Sequence, residues 1–415
     1  MNKIARKIIV VFLMLSFSVS LFATSASAET LYNDTTQSSS AYKKVLDPYN
    51  YTSARMMGMG GAGIAGFYNA DSLYINPASL ANKGVVVNLP AVSFTIYNLD
   101  TFNKYDVKFS EDDAKDAAVS YIADLASGKG YNSIADLSLN TSVKIKGFAL
   151  GLDLRSSMLS YNASGNLSNF QAIPVVDLVA SFGYGHRFFK ESAITLDLGV
   201  AARATVREYF NSISYDDLVD AITANDAYDT LTNMLDSNPG AIGFALPIDV
   251  AANLNLPYGI TLSGVIRNLN GDRTYCYADE AKDLNAKYDS NKHKFSSDPT
   301  FNVGLGWKPR MGSLERYISP SFVFDLVDIT SESSSNDFDN DKYLLSHTRI
   351  GAEVELFRFL KFRAGLSQGY VTVGAGFDIM NCIHVDAAYF TQEFGTGLGV
   401  KPVDAFTIRF SILHE

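Results

Sequence analysis

From residue 84 onward, apolar and polar side chains alternate with period two, the pattern of β-strands with one greasy and one polar face. Over 147–155 one face carries Phe148, Leu150, Leu152 and Leu154, the other Ala149, Gly151, Asp153 and Arg155. Over 193–207 Ile194, Leu196, Leu198, Val200, Ala202, Ala204 and Val206 oppose a face holding Asp197, Arg203 and Arg207. Near the end Phe406, Ile408, Phe410 and Ile412 alternate with Thr407, Arg409 and Ser411. Read this way, the chain predicts about fourteen strands: 85–97, 135–146, 147–161, 171–187, 192–210, 241–255, 258–270, 300–308, 318–329, 344–355, 360–368, 369–379, 383–391 and 403–413.

Alternation alone also fits a soluble sandwich. Strand length and loop sorting favour a transmembrane antiparallel β-barrel: most strands reach the ~9–11 residues a tilted membrane strand needs, and the count is even. Connections alternate between long (99–134, 211–240, 271–299, 330–343) and tight (Lys146-Gly147, Lys190-Glu191, Leu256-Pro257, Phe357-Arg358, Asn381-Cys382), with Gln368-Gly369 a short exception. Long extracellular loops and short periplasmic turns sort in this way. Two long loops read as partly helical. In 111–125 Ala114, Ala117, Ala118, Tyr121, Ile122 and Leu125 form a stripe, and in 215–235 Leu218, Ile222, Leu231 and Leu235 do so. Such helices would cap the loops or collect ligand at the barrel mouth. The polar 278–297 stretch reads as a solvated loop.

Ahead of the strands, Lys3, Arg6 and Lys7 precede an apolar run over 8–22 and the small residues Ala26-Ser27-Ala28. This is the signature of an export signal over 1–28, too short to span a bilayer, with the mature chain expected to start at Glu29. Loss of those three cations takes the formal charge from −10 to about −13, a poor balance for nucleic-acid binding. The composition, 47% hydrophobic with 27 Phe, 23 Tyr and one Trp, permits a barrel without requiring one. Cys276 and Cys382 are expected at opposite barrel ends. That disfavours a bridge without forbidding it.

Between leader and strands lie a polar extension over 29–52 and then a Gly-rich segment. It contains Arg55, Gly58, Gly60, Gly61, Ala62, Gly63 and Ala65, followed by Asp71 and by Asn76-Pro77-Ala78. Lipid would leave its irregular backbone unpaired, so it belongs in water or inside the lumen, with Asn76-Pro77 as a turn. The domain reading is therefore a leader over 1–28, an extension and luminal hatch over 29–83, and a barrel over 84–415.

This segment resembles the hatch of the FadL family of outer-membrane transporters for long-chain fatty acids and aromatic hydrocarbons. The family pattern A-R-x-x-x-G-x-G-A-x-A…D…NPA is met by Gly60 or Gly61, Ala62, Ala65, Asp71, Asn76, Pro77 and Ala78. The stretch from Lys361-Phe362-Arg363-Ala364-Gly365-Leu366 to Ala387-Ala388-Tyr389-Phe390 resembles the closing strands of such barrels, spirochaete members in particular. The resemblance implies a fourteen-stranded barrel with a luminal hatch in the outer membrane. It further implies passive uptake of a hydrophobic small molecule or fatty acid, held at the outer mouth and released sideways into outer-membrane lipid. A different function is open within the same resemblance: PorV-related barrels serve as partners of secreted surface proteins. The chain departs from the pattern in ending His414-Glu415 where a terminal aromatic is common, and in carrying the 29–52 extension. Oligomeric state is left open.

Catalysis is not expected. Of five histidines, only His384 shares a strand face with a carboxylate, Asp386, and a luminal ion pair accounts for that. No metal-ligand spacing or phosphate-binding loop appears, so no metal and no cofactor is expected. The luminal charges Asp153, Arg155, Asp177, Asp197, Arg203, Asp249, Arg267, Arg349, Glu353, Lys361, Arg363 and Arg409 are expected to pair with one another and with the hatch.

The ligand path is expected in the third strand. Outward alternation would place Ser156 towards lipid, yet Leu159 and Tyr161 have the opposite parity, which suggests a bulge at Ser156 and Ser157. Antiparallel pairing sets Pro174, which cannot donate to the ladder, opposite Met158. In the FadL family an inward kink of the third strand opens a hole in the wall, and Ser156, Ser157, Met158 and Pro174 resemble that place. The alternative is that these residues already stand above the membrane, where ladders fray.

Overall fold

The computed structural model describes residues 44–65, 70–82, 84–102, 104, 111–224, 230, 240–278, 292–329, 341–379, 382–395 and 397–414. The expected leader, residues 29–43, and Leu231 and Leu235 of the second helical loop lie outside them.

Fourteen strands build the wall. They are β1 (Val85–Tyr97), β2 (Gly130–Ile145), β3 (Phe148–Asn162), β4 (Phe170–Phe188), β5 (Thr195–Phe210), β6 (Gly240–Ala245 continued by Ile248–Asn255) and β7 (Ile260–Leu269). The circuit continues with β8 (Thr300–Trp307), β9 (Ile318–Leu326), β10 (Thr348–Leu356), β11 (Leu360–Ser367), β12 (Tyr370–Ile379), β13 (Ile383–Glu393) and β14 (Pro402–His414). Each pairs antiparallel with its neighbours in sequence, and β14 pairs with β1, so the sheet closes without a free edge. Short outer segments prolong three strands: Ile213–Ser214 carries β5 on along β4, Arg273–Ala278 carries β7 on along β6, and Lys292–Phe295 carries β8 on along that extension. Two boundaries are corrected. The second strand begins at Gly130, five residues ahead of the expected 135. The tenth strand begins at Thr348, because Asp341–His347 is helical.

The two faces reverse those of a soluble protein. Leu150, Leu152, Phe182, Leu198, Leu262, Phe362 and Phe410 are exposed on the outside, whereas Asp153, Arg203, Asp249, Arg363 and Arg409 are buried inside. An apolar exterior this extensive is stable in lipid. The described residues contain no helix long and apolar enough to cross a membrane. The molecule is a transmembrane barrel of the outer-membrane kind.

The wall is uneven. Strands β2–β5 run 16, 15, 19 and 16 residues, whereas β8–β11 run 8, 9, 9 and 8. The short side matches the ~9–11 residues of a membrane crossing, so the long side projects beyond the bilayer at its loop end.

Two helices cover this projection from outside. Helix Glu111–Ala126 and helix Tyr215–Thr223 place Tyr121, Ile122, Leu125, Leu218 and Ile222 in one core with Phe94, Ile96, Ala135, Phe170 and Phe210, with Leu137, Met158, Val176, Phe406 and Ile408 packed against it. These wall residues have the outward parity of exposed Val92, Leu139 and Phe410. The Tyr121 hydroxyl donates to the Tyr97 carbonyl at 2.8 Å and the Asn162 amide to the Ala126 carbonyl at 2.5 Å. The expected helices at the mouth thus form an external collar. Ile122→Ala is expected to weaken it by ~2–5 kcal/mol, the usual cost of emptying such a buried site. Limited proteolysis should then cut within 103–129 while the barrel keeps its heat-resistant mobility on gels. Unchanged resistance would refute the packing role.

Candidate functional site

The lumen is filled by the N-terminal segment, and each part of it meets a wall residue of inward parity. Helix α1 (Ala54–Gly58) starts at Ser53, whose hydroxyl caps the Met56 N–H at 3.2 Å and donates to Asp71 at 2.6 Å. Asp71 also accepts from Tyr51 at 2.8 Å and from Arg409 of β14 at 3.0 Å. Burial pushes the Asp71 carboxyl up, but the Arg409 charge and the Ser53 and Tyr51 hydroxyls outweigh it and hold the group below its ordinary value.

Further along, Arg55 binds Glu353 through two nitrogens at 2.9 and 3.1 Å, and Arg363 bridges Glu353 and Asp386. Thr372 donates to the Gly58 carbonyl. Gly60 and Gly61 take φ of +70° and +75°, and a Cβ on Gly60 would stand 2.5 Å from the Leu366 carbonyl oxygen. Ala62 is buried with Met59, Ala65 and Val323. The N–H groups of Gly63 and Ile64 donate to Asp325 of β9 at 2.6 and 2.8 Å. Asn76 caps the 3₁₀ turn Pro77–Ala81 by accepting from the Ala78 N–H, and its amide donates to the Ile64 carbonyl and to Asn253 of β6. The hatch-like residues Arg55, Gly58, Gly60, Gly61, Ala62, Asp71, Asn76, Pro77 and Ala78 are therefore brought together inside the wall. Residues 44–52 of the polar extension join them: Tyr49 donates to Asp153, and Arg155 donates to the Asn50 carbonyl and to Thr52.

Strand glycines make the fit possible, and the sequence reading missed them. Added Cβ atoms on Gly199 would overlap the Pro77–Ala78 backbone, on Gly185 would stand 2.5 Å from the Ala81 nitrogen, and on Gly351 2.6 Å from the Met59 oxygen. Their signal was present, as glycine on the inward parity of otherwise alternating strands. Asp325 and Asn253 were likewise missed.

Most of the luminal charges pair with one another or with the segment, through Arg203–Asp249, Arg207–Asp177, Arg187–Asp197 and Arg409–Asp71, whereas Arg267 and Arg349 donate to backbone carbonyls, of Ile75 and of Ser346 and Thr348. His384 pairs with Asp378 at 2.5 Å, not with Asp386, which Arg363 occupies.

Between the segment and the loop end of the wall a cavity of about 220 Å³ remains, its lining mixed: Met57, Tyr97, Leu159, Phe390 and Phe394 beside Lys44, Asp136, Arg155, Asp177 and Arg207, with hydroxyls such as Ser157 and Thr407. The Lys44 ammonium lies 5.8 Å from the Phe394 ring centre. The volume falls below the ~300–1,000 Å³ of most small-molecule sites, so a long ligand requires the segment to move.

Of the expected ligand path, Ser157 lines this cavity, whereas Ser156, Met158 and Pro174 have outward parity. Met158 does pair with Pro174. The kink, however, is corrected: β3 pairs with β4 from Phe148 to Asn162 without a register shift. The irregularities fall on the neighbours, between Ser133 and Ala135 of β2 and where the β4–β5 ladder passes from Val175–Tyr209 to Ala172–Ile213. Leu159 and Tyr161 point inward without any slip because the upper lumen is itself apolar there, holding Val45, Ile173 and Tyr209. The wall is closed at Ser156–Met158, and Met158 packs against the collar.

No family model and no curated protein matches the chain. Among solved structures, the Pseudomonas putida toluene transporter TodX is similar with a TM-score of 0.46 and 11% identity over 89% of this chain and 98% of that one. The Ralstonia pickettii toluene transporter TbuX follows at 0.44 and 12% over 89% and 99%, and a Pseudomonas aeruginosa FadL homologue at 0.43 and 11% over 88% and 98%.

Proposed function

We propose that this barrel is an outer-membrane channel for hydrophobic small molecules, long-chain fatty acids foremost, whose lumen the N-terminal segment closes as a hatch. The observation that carries the reading is the cavity at the loop end, whose floor is the segment itself. Within a lining that also holds Asp136, Arg155, Asp177 and Arg207, the aromatic and aliphatic groups (Tyr97, Leu159, Phe390, Phe394, Met57) suit an alkyl chain, and Lys44 at the rim suits a carboxylate. Ser157 lies on this path from the inside. Because the wall is continuous beside it, release follows displacement of the hatch and not an opening at Ser156–Met158.

The test is equilibrium binding of a fluorescent long-chain fatty acid and of an uncharged aromatic hydrocarbon to the purified barrel. Lys44→Gln is expected to weaken the acid about three- to fivefold, the worth of a part-exposed ion pair, and to leave the hydrocarbon unchanged. Absence of saturable binding of either compound would reject the channel. A second reading, a barrel that holds a secreted surface protein, draws on the collar, which presents its helices beside the wall instead of over the mouth. It predicts no saturable ligand binding and capture of a partner that is lost when the collar is detached.

A further inference from the structure

The outer face of β8–β11 carries an apolar trough of about 520 Å³. Its floor is Ala352 and Ala364, directly paired across β10 and β11. One bank is Trp307 and Phe322, stacked with ring centres 5.6 Å apart, and Ile350 and Leu366 close the upper end. The trough lies on the short side of the barrel, below the 292–295 extension of β8 and within strands of membrane-crossing length, so hydrocarbon covers it.

Directly below, at the periplasmic ends of the same strands, stand Lys308, Arg310, Arg316 and Arg358, all exposed, with Glu315 the one carboxylate among them in 308–317 and 357–359. The Tyr317 and Phe357 rings meet edge to face at 6.3 Å, and the Phe357 N–H donates to the Tyr317 carbonyl at 2.9 Å. This contact fastens the β8–β9 connection to the β10–β11 turn and sets Arg316 and Arg358 at adjacent positions.

Distance links the two features. Five residues separate Ala352 from Phe357, roughly 17 Å along a strand and about 12 Å along the membrane normal at a ~45° tilt. One leaflet of a ~30 Å hydrocarbon core has about that depth. A phosphate at the turns therefore sends its acyl chain into the trough.

We propose that this face holds an anionic phospholipid of the periplasmic leaflet, with an acyl chain over Ala352 and Ala364 and its phosphate at Arg316 and Arg358. A second copy of the chain is the weaker occupant. A twofold contact here would bring the same cations against each other.

Trp307, the sole tryptophan of the sequence, lines the trough and reports on it directly. The full barrel is placed in phosphatidylcholine vesicles doped with phosphatidylglycerol or phosphatidylcholine brominated in mid-chain. Brominated phosphatidylglycerol is expected to quench Trp307 at about fivefold lower mole fraction, as basic groups at an anionic surface imply. Arg316→Gln with Arg358→Gln should remove that advantage, and Ala352→Phe should remove it with both arginines in place, each variant being checked for the heat-resistant barrel on gels. Equal quenching by the two lipids in the unaltered protein overturns the proposal, as does a preference that survives in the folded double variant. Protection of Trp307 from both lipids together with a cross-linked dimer overturns it in favour of self-association.

Discussion

Gly199→Val is expected to leave the barrel folded and unseat the hatch. The residue lies mid-strand in β5 with its inward face against the Pro77–Ala78 backbone, and even one added carbon would overlap it. Backbone on the far side of the contact cannot rotate away as a side chain can, so the overlap costs at least the ~1–3 kcal/mol of ordinary overpacking. Valine is itself favoured in strands, which protects the wall from the same substitution. In planar bilayers the variant should show open-channel conductance well above that of the unaltered protein, with heat-resistant mobility retained. A folded variant with unaltered conductance would mean that the 77–81 turn does not close the lumen.

Asp71→Ala is expected to loosen the hatch by a different route. The substitution removes the acceptor shared by Ser53 and Tyr51 and leaves Arg409 a buried cation without that carboxylate, a change that typically costs ~3–5 kcal/mol. Replacing the pair together, Asp71→Ala with Arg409→Met, should recover most of the loss, since the penalty belongs to the stranded charge. Hydrogen exchange at the 53–62 amides reads the effect. Because the folded carboxyl is held below its ordinary value, its contribution is fully present above about pH 4 and disappears as pH falls through the lowered value. Equal exchange in the single and double variants would place the hatch's anchorage elsewhere, for example at Arg55 and Glu353.

The wall was legible because a membrane barrel writes its two faces into alternate residues, and because two-residue turns such as Lys146-Gly147 punctuate the pattern with left-handed positions. Where the pattern misled, a local signal had two causes. Leu344 and Leu345 read as the start of a strand but belong to a helix ending at His347. Leu159 and Tyr161 read as a slip in parity, yet large inward residues are needed where the upper lumen is apolar. The helical stripes at Tyr121–Leu125 and Leu218–Ile222 announced a buried face without saying which surface would bury it. Alternation cannot supply that, because Phe94 and Ile96 look identical in sequence whether lipid or a helix covers them. The luminal segment was legible as a composition, glycine with Asn-Pro, but its seat depends on glycines scattered from Gly151 to Gly374 whose common purpose appears only when the strands are rolled together.

The collar also bears on how the protein tolerates a change of bilayer thickness. Its helices carry Asp116 and Asp124 on one and Asp216, Asp217 and Asp220 on the other, beside the wall on the tall side only. A bilayer that thickened by a few ångströms would reach only the strand ends on the short side, but on the tall side it would have to strip water from carboxylates, a far steeper cost. Adaptation to hydrophobic mismatch is thus lopsided: the barrel leans to keep the acidic rim in water, and membranes thinner than its belt suit it better than thicker ones.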